Sequence, residues 1–232
     1  MKTSLIIIPL ISALAAAPAV ADFAINVGAI SVAPNDSSSS LNVIEQVAGL
    51  TSGSTAVAVN SNTQLGLTMD YRFQSNWAIQ LIAATPFSHE MTVQGSAIDG
   101  LKVGKTKHLP PTLLAQYHFM PANQTFDPFV GVGLNYTLFF DEQVDNELTT
   151  ALQALGVTSA NDSVTLKAKN SIGLALQAGV NIKFSDNLGL HLMLSKMDID
   201  TTGRVQVNGN TVQSVDINID PYVAMIGLRW TL

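Results

Sequence analysis

The sequence predicts an all-β fold: an eight-stranded antiparallel transmembrane β-barrel with short periplasmic turns and long extracellular loops. Three observations carry it. The composition suits a membrane, with 47% hydrophobic and only 12% charged residues and a mean hydropathy of +0.29; about a quarter of a soluble domain is normally charged. Beyond an N-terminal export signal there is no apolar run of the roughly 18 residues that a spanning helix needs. Apolar residues recur instead at every second position, over stretches of about twice the ~5–6 residues of an ordinary strand.

The elements follow in chain order. Lys2, the apolar stretch Leu5–Ala17 (broken by Pro9 and Ser12) and the small-x-small site Ala19-Val20-Ala21 read as a cleaved signal peptide over residues 1–21. The barrel then occupies 22–232. Its first strand is expected at 23–33. In the second, 63–73, Leu65, Leu67, Met69, Tyr71 and Phe73 alternate with Gln64, Gly66, Thr68, Asp70 and Arg72. Weaker alternation places the third at 76–85 and the fourth at 108–119. In the fifth, 129–138, Val130, Val132, Leu134, Tyr136 and Leu138 share a face. The sixth, 171–184, is the clearest: Ile172, Leu174, Leu176, Ala178, Val180, Ile182 and Phe184 alternate with small or polar neighbours. The seventh is weaker, at 188–198. The eighth, 222–232, carries Tyr222, Ala224, Ile226, Leu228, Trp230 and Leu232 on one face.

Short turns at 74–76, 120–126 and 185–187 alternate with long loops at 34–62, 86–107, 139–170 and 199–215. That is a meander with both chain ends on the short-turn side. A strand of about ten residues tilted near 40° spans roughly 25 Å, the height of an outer-membrane apolar band. Backbone groups in lipid must all be paired, so such a sheet closes on itself. Tyr71, Phe73, Trp77, Tyr117, Phe119, Phe129, Phe184 and Trp230 near the short turns, and Phe87, Phe139 and Phe140 near the long loops, make two aromatic girdles. A soluble lipocalin-like barrel shares the alternation with its apolar face inside; long strands, low charge on either face and unequal loops favour the membrane.

Two loops carry helical spacing. Val144, Leu148, Ala151, Leu152 and Leu155 in the third recur at i, i+4, i+7, i+8 and i+11, an amphipathic helix signal for the membrane surface or the barrel mouth. Val43, Ile44, Val47 and Leu50 form a weaker run in the first, after Ser37–Ser40, which reads as flexible.

A formal charge of −6 argues against nucleic acid as partner, and the absence of cysteine removes disulfides, thiolate catalysis and cysteine-based zinc sites. His89, His108, His118 and His191 are dispersed; His89 and His108 would meet at the loop-side rim, as polar residues rather than a metal site. Asp198, Asp200 and Asp220 cluster within reach of Lys102, Lys105 or Lys107. No catalytic residue, metal or cofactor is expected, and the chain does not read as an enzyme.

Several stretches match a known family: 62–68 (NTQLGLT), 81–89 (LIAATPFSH), 108–116 (HLPPTLLAQ), 128–140 (PFVGVGLNYTLFF), 197–202 (MDIDTT) and 220–223 (DPYV). On these the chain resembles the OmpW family of small outer-membrane barrels, which includes the alkane-uptake protein AlkL. The first and third loops match least. The resemblance implies a barrel in the outer membrane of a Gram-negative bacterium, with a narrow hydrophobic lumen for small apolar molecules. It also implies contact with outer-membrane lipid and lipopolysaccharide, and with the barrel-assembly machinery during biogenesis. Some members serve as a bacteriocin receptor. Leu232 departs from the terminal aromatic of many outer-membrane barrels.

The interior of an eight-stranded barrel is just wide enough for side chains to fill. By parity Ile82, Leu114, Met193, Met197, Val223 and Met225 face inward, beside small residues such as Gly66, Gly133 and Gly179. Two readings stand: an apolar wall lining a narrow lumen, or a packed plug. Pro86 ends the third strand and Pro110-Pro111 start the fourth. Proline cannot donate to a ladder, so these adjacent strands either part there, opening a lateral exit into the membrane, or simply terminate near the rim. The expected function is passive uptake of small hydrophobic molecules; the alternative is a structural, adhesive or receptor barrel (for bacteriocin or phage) with a sealed lumen.

Overall fold

A computed structural model describes residues 22–120 and 124–232; the expected signal peptide at 1–21 lies outside the described residues. In chain order the first strands are β1 (Asp22–Ala33), β2 (Ser37–Ser38), β3 (Ala56–Val59), β4 (Asn62–Gln74) and β5 (Trp77–Ala84). Then come β6 (Phe87–Gln94), β7 (Lys102–Leu109), β8 (Thr112–His118), β9 (Phe126–Val144) and β10 (Val164–Ala168). The chain ends with β11 (Ser171–Lys183), β12 (Leu188–Met197), β13 (Asp200–Val207), β14 (Asn210–Asn218) and β15 (Tyr222–Thr231). Two helices interrupt them, α1 (Asn42–Ala48) and α2 (Asn146–Ala154).

Eight of these strands close the barrel. Around the ring run β1, β4, β5, β8, β9, β11, β12 and β15, every neighbouring pair antiparallel, with β15 returning to β1. Side chains alternate inward and outward along each. The outward face decides between membrane and soluble barrel: Ile172 is 72% exposed and Leu174 and Leu176 are each 60% exposed. Trp77, Tyr117, Phe126, Phe184 and Trp230 bound this apolar band at the periplasmic end, and Tyr136, Leu138 and Tyr222 at the other.

Two glycines show how tightly the wall is wound. A Cβ on Gly28 would lie 2.0 Å from the Ile226 carbonyl oxygen, and one on Gly133 would lie 1.9 Å from that of Leu113. Only glycine admits such backbone approach. Other inward glycines do not leave open space. A Cβ on Gly179 would meet the Phe129 ring at 2.4 Å, and one on Gly66 would meet Ile30 at 2.8 Å.

The long loops differ most from expectation. They are largely strand. β7, β6 and β3 continue the barrel sheet outward from the upper part of β9, and β10, β13, β14 and β2 form a separate four-stranded sheet. The expected fifth strand therefore runs to Val144, well beyond the membrane. The expected fourth is two strands, β7 and β8, separated by Pro110-Pro111. Ser37–Ser40 is not a flexible stretch: the Val57 N–H donates to Ser38 Oγ at 2.7 Å, and Ser39 exchanges hydrogen bonds with Asp216. The serine hydroxyls bind backbone that the short sheet edges leave unpaired.

The helical signal in the third loop is α2, with Asp145 accepting from the Glu147 N–H at 2.9 Å as its N-cap. Leu148 and Leu152 are buried in a second core with Leu41, Ile44, Val103 and Val215. The helix thus packs over the barrel mouth and not on the membrane. In α1, the Val43 and Ile44 N–H groups donate to the Gln213 side chain, tying the first loop to β14.

Candidate functional site

The barrel interior has two unlike halves. In the upper half all six inward apolar residues meet. Ile82, Leu114, Met193, Met197, Val223 and Met225 are each at most 5% exposed and belong to one cluster with Ile30, Val32, Phe87 and Ile199. Methionines make up a large part of this wall, and their unbranched thioethers fill irregular gaps.

The lower half is polar, against the expectation of low charge on either face. Arg72 Nη1 donates to Asp127 Oδ2 at 2.8 Å, with both side chains buried. Its other donors reach the Ser75 and Met120 carbonyls. His118 Nδ1 lies 2.8 Å from the same Asp127 oxygen. Across the barrel Arg229 pairs with Asp70, which also accepts from Asn26 at 2.9 Å and Gln80 at 2.7 Å. A glutamine chain crosses between: Gln116 donates to Gln177 at 2.7 Å, and Gln177 to Gln80 at 2.8 Å. The Phe129 ring stacks on His191 at 5.6 Å between centroids. The apolar lining therefore stops at mid-barrel; ion pairs and hydrogen bonds cross the barrel below it, and a cavity of about 480 Å³ lined by Arg72, Asp127, Asn181 and Arg229 opens at the periplasmic end.

The prolines sit at a break in the wall. β5 and β8 pair from Trp77↔Tyr117 up to Ile82↔Thr112, and pairing resumes only with Phe87↔His108 between β6 and β7. Residues 83–86 and 109–111 face each other across the interval. Pro110 and Pro111 are held from the opposite side: the Tyr136 N–H donates to the Pro111 carbonyl at 3.0 Å, and Asn135 Nδ2 to that of Pro110 at 3.2 Å. Thr85 likewise turns away, its N–H donating to Leu65 on β4 at 3.0 Å. Each edge is anchored to its outer neighbour. Pro86 is exposed and Pro110 buried.

Above the membrane a cavity of about 70 Å³ lies between the two outer sheets, over the apolar half. Its lining includes Val32, Ile199, Val215 and Phe139, together with His89 and His108. The two imidazoles do meet, stacked at 4.8 Å. Burial pushes the His89 pKa down, and pushes that of His108 down to about 3, so both rings are neutral near neutral pH.

Asp198, Asp200 and Asp220 bring carboxylate oxygens within 4.8 Å of one another. Partial burial and its two acidic neighbours raise the Asp200 carboxyl. Among the described residues these carboxylates form no ion pair with Lys102, Lys105 or Lys107; Lys107 reaches Asp141 at 2.7 Å instead. Lys107 and Asp141 flank a register shift between β7 and β9, which brings them side by side.

A family model, the OmpW family, matches residues 19–232. The chain belongs to the OmpW family. It is 40% identical over 232 residues to outer membrane protein W of Vibrio cholerae, covering 97% of both chains. The crystal structure of OprG from Pseudomonas aeruginosa superposes with a TM-score of 0.77 at 36% identity, over 91% of this chain and 95% of that one. The solid-state NMR structure of AlkL in lipid bilayers shares the fold, with a TM-score of 0.63 at 19% identity over 91% of this chain and 90% of that one. OmpW-family membership places this barrel in the outer membrane of a Gram-negative bacterium, in contact with membrane lipid.

Sequence reading missed the buried ion pairs of this OmpW barrel. One signal was present: Asp70 and Arg72 share the parity of Gly66, and Arg229 that of Gly227, both on the inward face.

Proposed function

We propose that this OmpW-family protein admits small hydrophobic molecules passively. A solute enters the extracellular cavity, moves into the methionine-lined upper half and leaves sideways between Ala83–Pro86 and Leu109–Pro111. The division of the interior carries this reading. Straight passage to the periplasm would break buried pairs such as Arg72–Asp127, at a cost of about 3–5 kcal/mol for stranding one partner. The broken ladder lies level with the apolar half and needs no hydrogen bonds broken to part.

The test is a cysteine pair on the facing strands beside Thr85 and Thr112 in a deletion strain. Oxidation is expected to stop uptake of an apolar solute and reduction to restore it; uptake unchanged by oxidation refutes the lateral route. The dense packing of the upper cluster, with Leu114 and Met197 each only 1% exposed, favours a second reading, a sealed receptor or structural barrel. Uptake no faster than in cells lacking the protein would establish it.

A further inference from the structure

The cavity wall is mostly apolar but also carries Thr106, Thr137, Glu142, Lys167 and Arg204; its two buried histidines stack on each other and rest on an aromatic ladder. His108 stacks on Phe87 at 5.3 Å and lies 5.7 Å from Phe139. His89 and His108 are 3% and 5% exposed. Their hydrogen bonding is incomplete. His89 Nδ1 is bonded to the Asn60 carbonyl. A carbonyl only accepts, so the proton of this neutral ring sits on Nδ1, and Nε2 carries a bare lone pair. That Nε2 is buried without a protein partner, and so is His108 Nδ1. Unpaired buried nitrogens are costly, and whatever pairs them is favoured.

Resting on the uptake reading above, we propose that the cavity selects apolar molecules bearing a single hydroxyl group, an alkanol or a phenol, with His89 and His108 as the residues that recognise it. A hydroxyl is both donor and acceptor. It donates to His89 Nε2 and accepts from the ring N–H of His108. An alkane leaves both rings unpaired. A carboxylate has no proton for His89 Nε2, and an ammonium group brings a charge into an apolar wall. The acid among the lining residues, Glu142, is engaged elsewhere, accepting from the Ala168 N–H at 3.2 Å and pairing with Lys167 at 3.7 Å.

The experiment compares labelled 1-octanol and n-octane in a deletion strain producing wild-type protein, His89→Asn or His108→Phe. The readout is the half-saturating concentration of uptake above the empty-vector rate. His89→Asn keeps a donor for the Asn60 carbonyl and removes the Nε2 acceptor. His108→Phe keeps the stack. Each is expected to raise the 1-octanol value about tenfold relative to that of n-octane. Saturable n-octane uptake above the empty-vector rate also reports that the barrel is folded and inserted. Equal changes for both solutes, or none for either, overturn hydroxyl recognition while leaving uptake standing. Wild-type protein that speeds neither solute overturns uptake and recognition together.

Discussion

The two halves of the barrel interior are built on the same strands in the same register, yet they are held together by opposite means. In the periplasmic half most of the large inward side chains need a polar partner, and Asp70 and Asp127 each gather several. In the extracellular half the inward positions hold mainly methyl groups, thioethers and rings that need only to exclude water, beside a small hydrogen-bonded group of Thr112, Asn135 and Thr137. Closure of the sheet dictates neither arrangement, because the backbone is satisfied either way. The difference teaches that the polar half cannot yield piecemeal. The apolar half can, since its contacts are individually weak and interchangeable.

Asp127→Ala should give the largest effect. It strands Arg72 and His118 in the interior and is expected to cost about 3–5 kcal/mol in urea unfolding from lipid vesicles. Ion current above that of the wild type is expected in planar bilayers. A cost near zero would erase the distinction between the halves. In the apolar half, Met225→Ala should cost about 3 kcal/mol through lost burial and a cavity, with no added ion current, because the charged half below stays intact.

Acid should loosen the outer sheets next. The folded His108 pKa is about 3 against an ordinary value of 6.5. Between these values the unfolded chain binds the proton and the folded one does not. The stabilisation is therefore complete above about pH 6.5 and is lost as pH falls toward 3, by about 2 kcal/mol at pH 5. Faster amide exchange in β6 and β7 over that window, flattened in His108→Phe, would sharpen the contrast with the membrane-embedded barrel. Lys107→Ala marks the lower limit: its partner Asp141 and Lys107 itself are exposed, so the change should stay within about 0.5 kcal/mol in the same urea titration.

These contrasts were unevenly legible in the sequence. β11 could be read directly, because lipid on one side and packed interior on the other impose strict alternation from Ile172 to Ile182. The inward six could be assigned by parity alone. The outer strands were not legible, because β6, β7, β13 and β14 lie above the lipid and face a small core of their own. Lys102, Lys105 and Lys107 are interspersed with Val103, Gly104 and Thr106 there, without strict alternation, which resembles a polar loop as much as a strand. The polar half escaped notice for another reason. Its pairs join residues far apart in the chain, Arg72 with Asp127 and Asp70 with Arg229, and only closure of the ring brings them together.

β9 is the member common to both regions. Over 19 residues it pairs with β8 and β11 in the membrane and with β7 above it. At about 3.3 Å per residue it is a rod of roughly 60 Å. Asp127, at the foot, grips the charged half; Val144, at the top, packs against the core that includes α2. An extended, hydrogen-bonded strand does not stretch. Its one local offset is Asp141, at φ 53°. Mechanically, then, the outer sheets are no detachable lid. They are the far arm of a lever whose near arm is pinned in the charged half, with Asp141 as the elbow between the two.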